Sequence, residues 1–476
     1  MKGAAGKVSL GVFALAMIEV SAVLTVRNFP SMAEEGWSLV GWYILGLLLF
    51  FLPLSLAGAE LATGWPKGGG VYAWVREAFG ENRGFIAIWC EWAENVVWFP
   101  TVLSFVTATL AFGLAPILDT SPVLNLLVML LIFWGITVLN FYGEKYGSML
   151  SSAGGVFGSM LPAAVLVILM VVYIAQGKSS VLQFSGFGDL LPSFSLDTLP
   201  FVQTVVLLFA GMEMAGFHAR ETANPGRDFP RAILISAVIV FVLSTLGTLA
   251  IAYTVPTKDL SLAGGVMQAI ETMLSSVGVK WLVAPMAILV AFGAVAQLST
   301  WLIGPAQALG VAAAQGDMPP RWRSHNSFGS PVAVLVIQGV LTTGFALMFI
   351  LIPSVNSAYW ILSALTTQVI IVMYLLMFAA LIKLRYSQPD TPRAYTIPGG
   401  KPGVWVVSGV ALGALVFSFV IGLLPPEGTK ASMPVYVSGM FLATLVLSVG
   451  VPALFYLFRK PSWRAENAEA YLEGEE

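Results

Sequence analysis

The chain has 476 residues, of which 58% are apolar and only 10% charged, with a formal net charge of −2. Soluble domains carry about 25% charged residues; a chain this poor in charge would leave large apolar areas facing water, and disorder needs the opposite composition. No basic face is available for nucleic acid, the single Cys90 excludes a disulfide framework or a cysteine zinc site, and His218 and His325 lack metal-ligand spacing, so no metal or other cofactor is expected.

The chain reads as an all-α integral membrane protein forming one transmembrane domain over 1–476. A helix needs about 20 predominantly apolar residues to cross the hydrocarbon core. Twelve such stretches follow one another near 8–29, 36–63, 82–114, 121–142, 147–175, 199–219, 229–255, 278–312, 329–353, 357–385, 403–424 and 432–458. Lys2 and Lys7 ahead of the first run also suit a signal peptide, but removing it would discard a helix that the repeat described below requires. Residues 263–276 suit a short interfacial helix over the outer mouth. The tail after Pro461, rich in glutamate, reads as a solvated end.

Loop charges orient this bundle. With the N-terminus inside, 18 Lys and Arg residues fall on the cytoplasmic side and 4 outside, with Arg27 left within span 1. Positive residues stay cytoplasmic during insertion, so both termini are expected inside a cell membrane crossed many times. No loop is long enough for a catalytic domain and no nucleophile–base cluster stands out, so an enzyme is not expected.

Charge inside a membrane span is costly and marks function by default. Span 1 carries Glu19, then Ser21 and Arg27. Span 3 carries Glu91 and Glu94 on one helical face, with Trp98 a turn further on. Span 6 carries Glu213 between Gly211 and Gly216, and span 8 carries Gln297, Ser299, Thr300 and Trp301. Ala16–Ser21 and Ala210–Ala215 both place Ala three residues before Glu. Spans 1–5 and 6–10 then become two halves, near 8–175 and 199–385, with accessory helices near 403–458 and a tail over 461–476. Five is odd, so the second half is inverted, and matched interruptions in inverted halves point to a transporter's binding site. Free backbone groups at such breaks suit a carboxylate, and a nearby acid suits an ammonium or a proton.

Ordered motifs carry a resemblance across the chain from Val8 to about Lys460. They are Gly68–Val75 after span 2, Asn224–Pro230 between spans 6 and 7, Gly265–Gln268, Trp301–Pro305, Ile397–Lys401 and Leu424–Pro426. The chain resembles the amino acid–polyamine–organocation (APC) transporter superfamily, and within it the glutamate/GABA antiporter family. That resemblance implies two inverted five-helix repeats with helices 1 and 6 broken, plus two further helices. It implies substrate contact from Ile18, Glu19, Val20, Ser21 and Ala22 on the first break, and from Met212, Glu213, Met214, Ala215 and Gly216 on the second. Glu91, Glu94, Gln297, Trp301 and Tyr374 complete the expected site, with Glu213 and Glu19 as proton-coupling candidates.

Departures bear on the substrate. Those antiporters carry a small polar residue in place of Glu19, a glutamate in place of Gln297, and largely uncharged residues in place of Glu91 and Glu94. The additional acids suit a net-positive substrate or protons. Those antiporters also carry a longer C-terminal extension that plugs the inner path, so gating by such a plug is not expected of the short acidic tail here. The expected function is secondary transport of amino acids or their decarboxylated amines, by antiport influenced by protons. Proton symport is the first alternative, and a sensor or channel on the same scaffold is the second. The expected partners are the amino acid or amine, protons and the lipid bilayer.

Overall fold

The computed structural model describes residues 11–67, 69–143, 155–195, 198–211, 222, 224–352, 354–425 and 432–473. Among them the chain is all-helical, and 11 helices are long and apolar enough to cross a membrane. We label the helices used below α1 (Val12–Val23), α2 (Phe29–Ala33), α3 (Gly36–Gly64), α4 (Val71–Phe79), α5 (Glu81–Gly113), α6 (Pro122–Asn140), α7 (Phe157–Ala175) and α8 (Phe201–Phe209). Then follow α9 (Pro225–Thr254), α10 (Gly265–Ser276), α11 (Lys280–Ala314), α12 (Val332–Leu351), α13 (Val355–Ser387), α14 (Gly400–Ile421), α15 (Met433–Leu457) and α16 (Ala468–Glu473). Ten of the twelve expected spans recur within a few residues, and the one expected near 147–175 recurs as α7 from Phe157, residues 144–154 lying outside the described ones. Only the first half of the remaining one, near 199–219, falls in the described residues, as α8.

Apolar composition makes these helices, and a few local signals set their ends. Ser121 Oγ accepts from the Leu124 amide at 3.4 Å ahead of Pro122, and Ser354 Oγ accepts from the Ser357 amide at 3.3 Å. These are N-caps, and Pro is tolerated in a first turn because its missing N–H would be unpaired there. Helices α5 and α13 are 33 residues each, about 50 Å at 1.5 Å per residue, longer than a hydrocarbon core of about 30 Å. They are the most buried spans and pack on each other at the centre of the bundle, with α11 against α5.

One crossing is set by glycine alone. A Cβ on Gly158 would lie 1.7 Å from the Gly293 Cα, and one on Gly293 would lie 1.8 Å from the Gly158 Cα. The start of α7 therefore meets α11 backbone to backbone, as small residues allow where no hydrophobic driving force separates helix from lipid.

The break expected in span 1 is present but displaced, and of the one expected in span 6 only its approach, through Gly211, falls in the described residues. α1 is regular through Val23, so Ile18–Ala22 are helical rather than unwound. The extended residues are Leu24 (φ −67°, ψ 113°) and Thr25 (φ −136°, ψ 122°), followed by a 3-10 turn at Val26–Asn28 and then α2. α8 ends at Phe209, Ala210 is extended (ψ 151°), and Gly211 has φ +104°.

The segment 461–473 corrects the expectation of a solvated end. Ala465, Ala468 and Leu472 are buried, the Ala465 amide donates to the Ala314 carbonyl at 2.8 Å, and Gln315 Nε2 donates to the Ala468 carbonyl at 2.5 Å. Its apolar residues pack on the end of α11 while Glu466 and Glu469 are exposed, so composition alone misleads. The segment 263–276 does form a helix, α10, largely buried against the bundle.

Candidate functional site

A cavity opens between the two breaks, with about 410 Å³ of non-atom space. Span 1 contributes Ala22, Val23, Thr25, Arg27 and Asn28; α5 contributes Glu94, Asn95 and Trp98. Leu207 and Ala210 close it from α8, Gln297 and Trp301 from α11, and Ile370 from α13. Five separate segments thus converge on one space, and three of them, span 1, α5 and α11, bring polar or charged side chains to it.

Arg27 is the most demanding of these groups. It is 2% exposed, yet its Nη1 donates to Thr101 Oγ1 at 3.0 Å and to Tyr359 Oη at 2.8 Å. Its guanidinium carbon lies 5.2 Å from the Trp98 ring centroid and 5.7 Å from that of Tyr359, cation–π distances. Thr101 is oriented in turn by donating to the Trp98 carbonyl at 2.7 Å. Glu94 lines the same cavity and its charge acts on Arg27. Between them the cavity presents both signs of charge.

Aromatic rings form one wall. Trp98 and Trp301 meet edge to face with centroids 6.4 Å apart. A Cβ on Gly211 would lie 3.1 Å from the Trp301 ring, and its φ is one that side chains rarely adopt, so glycine is required on both counts. The Gly211 amide, freed by the break, donates to Tyr374 Oη at 3.1 Å, and Tyr374 packs on Phe50 at 5.3 Å. Tyr374 therefore holds the second break in place from behind the cavity.

Of the expected site residues, Ala22, Glu94, Gln297 and Trp301 line the cavity. Ile18, Val20 and Ser21 lie on α1 away from it. Glu19, 1% exposed, accepts from Ser236 Oγ at 2.5 Å on α9, so it sits in a helix interface outside the cavity. Glu91 is buried one turn from Glu94, its backbone carbonyl accepting from Asn95 Nδ2 at 2.7 Å, and does not line the cavity. Met212, Glu213, Met214, Ala215 and Gly216 lie outside the described residues. Val23, Thr25, Arg27, Asn28, Asn95, Trp98, Leu207, Ala210 and Ile370 also line it and were not among the expected site residues, although Arg27 was visible in the sequence as the one cation stranded in a span.

No group of three or more His, Cys, Asp or Glu side chains could hold a metal ion among the described residues. A cavity framed by the ends of α1 and α8 inside a membrane-spanning bundle is the architecture of a membrane transporter. The model of the amino acid permease family matches residues 10–447, and the chain belongs to that family. It is a multi-pass membrane transporter for an amino acid or amine, not an enzyme. It is 40% identical to an uncharacterized transporter of Legionella pneumophila over 94% of this chain and 96% of that one. It is 31% identical to a glutamate/gamma-aminobutyrate antiporter of Lactococcus lactis, covering 94% of this chain and 90% of that one. A probable agmatine/putrescine antiporter of the same species is 24% identical over 90% and 91%. Among solved structures, a manganese transporter of Eremococcus coleocola in complex with an aromatic bis-isothiourea compound aligns with a TM-score of 0.53 at 13% identity, over 94% of this chain and 95% of that one. That likeness concerns the fold alone.

Proposed function

We propose that the chain is an amino acid antiporter that exchanges an amino acid for its decarboxylated product. The observation that carries this reading is the presence of Arg27 and Glu94 in one cavity between the ends of α1 and α8. A carboxylate can approach the guanidinium while an ammonium approaches the acid, and the tryptophan pair excludes water from the carbon chain between them. The named relatives that act as antiporters support exchange over uptake without a counter-substrate. Transport would proceed by rocking the two inverted halves about the cavity, alternately opening it to each side. The excess of Lys and Arg on one set of loops assigns both termini, and with them the docked tail, to the cytoplasmic side of the cell membrane.

Purified protein in liposomes preloaded with unlabelled amino acids and amines tests the reading. Labelled uptake that depends on a related compound inside supports exchange; uptake into empty liposomes driven by a proton gradient makes it a symporter and sinks the proposal. Proton influence is assigned to Glu213, an acid on the second broken span. Glu213→Gln is expected to flatten the pH dependence of exchange, and an unchanged pH profile removes it from that role.

A further inference from the structure

The segment after the break in span 1 packs with one group of helices, and the side chain of Arg27 ties it to another. α2 is buried along its length against α8, α9 and α10, and a Cβ on Gly265 at the start of α10 would lie 2.9 Å from that of Pro30. From the turn just before α2, Arg27 Nη1 reaches across to Thr101 Oγ1 on α5 at 3.0 Å and to Tyr359 Oη on α13 at 2.8 Å. Tyr359 Oη donates back to the Arg27 carbonyl at 3.4 Å, so this hydroxyl clasps both the side chain and the backbone of the turn. The crossing lies on the side of the cavity away from the docked tail. α3 runs from α2 to Glu60 and α13 runs from Tyr359 to Arg385, and those far ends meet in an ion pair at 2.7 Å. α4, which follows α3 there, carries the Tyr72 that bonds Asp317 beside the tail. Arg27, Thr101 and Tyr359 are each at most 2% exposed, so the cavity is shut on the Arg27 side.

We propose that Arg27 is a positioning residue of the transport cycle: it latches the cavity shut on the side away from the tail, and it releases Thr101 and Tyr359 when that side opens. The chemistry of the contact suits one that is made and broken in every cycle. Both partners are neutral hydroxyls, with the Trp98 and Tyr359 rings beside the guanidinium. When such a contact opens, water replaces each hydroxyl and the guanidinium regains its hydration, whereas parting a buried ion pair strands two charges. The Glu60–Arg385 pair at the other end is of that second kind, with the Glu60 side chain 0% exposed. The two ends are therefore closed by different means, one fixed and one releasable. The inference rests on the alternating-access step of the reading above and holds for exchange and for uptake alike.

The test reads access to the cavity from each side of the membrane. A reporter thiol is placed by Asn28→Cys, on the cavity wall beside the latch, in a chain whose buried Cys90 is replaced by Ser. Sealed vesicles of both orientations are treated with a membrane-impermeant thiol reagent, and a tag following the tail marks which side is which. Thr101 and Tyr359 do not line the cavity, so Thr101→Val and Tyr359→Phe loosen the latch and leave the cavity wall intact. Each is expected to raise the labelling rate from the side away from the tail about tenfold or more, the weight of one hydrogen bond to a charged group in a two-state equilibrium, without raising it from the tail side. Arg27→Met, which keeps the length and loses every donor, is expected to give the same one-sided rise. Melting temperatures confirm that each variant is folded, and should Arg27→Met not fold, the two hydroxyl variants decide. A rise that is absent, equal on both sides or confined to the tail side overturns the proposal, since loss of a merely structural contact loosens the bundle without regard to side. Transport assays of the same vesicles stand apart: if the chain proves a symporter, the antiporter reading fails and the labelling result still decides the latch.

Discussion

Glu19 and Glu94 are both carboxylates buried on the spans that frame the cavity, but only Glu94 faces it. The chemistry of the two therefore separates by orientation, not by residue type. Glu94→Gln is expected to raise the KM for an ammonium-bearing substrate about ten- to hundredfold, the loss of one charge-assisted hydrogen bond. Glu19→Gln should leave that KM within about twofold, because an amide still accepts from Ser236 and no charge in the cavity changes. Liposome uptake kinetics of both variants check the pair; equal effects would place Glu19 back in the substrate path. The sequence shows where polarity interrupts an apolar run, which singles out Glu94 and Gln297, while Trp301 was expected at the site only through the family resemblance; all three line the cavity. It does not show which way each group turns, because a helix apolar on every side has no polar stripe from which to read a face.

At the scale of elements, the turn that ends α8 was legible and the break in span 1 was displaced. Gly211 announces the break after α8, since glycine adopts its positive φ without strain. Leu24 and Thr25 carry no such signal, and neither glycine nor proline marks the point where α1 ends, so the break was placed at the nearest polar residues instead. The crossing of α7 and α11 was equally hidden, because one close pair cannot be picked out among 47 glycines. Its consequence is sharp. Gly293→Ala forces a methyl into the backbone of α7 and is expected to cost about 1–3 kcal/mol or more, the range for overpacking a tight contact. Gly409→Ala, with nothing within 4 Å of its new Cβ, serves as the control and should be silent. Melting temperatures in detergent measure both, and equal melting temperatures would show that the crossing yields without strain.

For the whole molecule, composition and span count fixed the class, because lipid imposes one requirement on every span. The docking of the tail was not accessible to such reasoning, since it depends on contacts between segments more than a hundred residues apart. At its centre lies Asp317, just beyond α11, which accepts from Tyr72 Oη at 3.0 Å and lies 3.4 Å from Arg459 Nη1. Burial raises its carboxyl from 3.8 to about 6; Arg459, Tyr72 and Arg76 oppose the shift and Glu81 adds to it. A raised pKa means that the buried site prefers the proton. Its contribution is thus complete below the unfolded value and is lost as pH rises through about 6. Asp317→Asn stays neutral throughout, so its stability relative to wild type is expected to grow between pH 5 and 7.5 by about 1–1.5 kcal/mol, the rest of the shift falling below pH 5. Thermal melting of both proteins across that window is the measurement, and parallel curves would show that Asp317 does not titrate there.

Two ion clusters brace this end of the bundle in different ways. Glu60, with a side chain 0% exposed, is held by Arg385 at 2.7 Å, by Arg393 at 3.6 Å and by the Ile397 amide, which fastens the loop after α13 to α3. Glu81, one-third exposed, gathers Arg76, Arg459 and Arg464, which tether the tail. Mobile ions reach the second cluster and are shut out of the first, and charge pairs open to solvent weaken once the screening length falls to about 3 Å near 1 M salt. Ionic strength should therefore act as a selective solvent for the tail. Hydrogen exchange at 1 M salt is expected to speed up over 461–473 while 395–399 stays protected, and uniform protection would mean that apolar packing alone retains the tail.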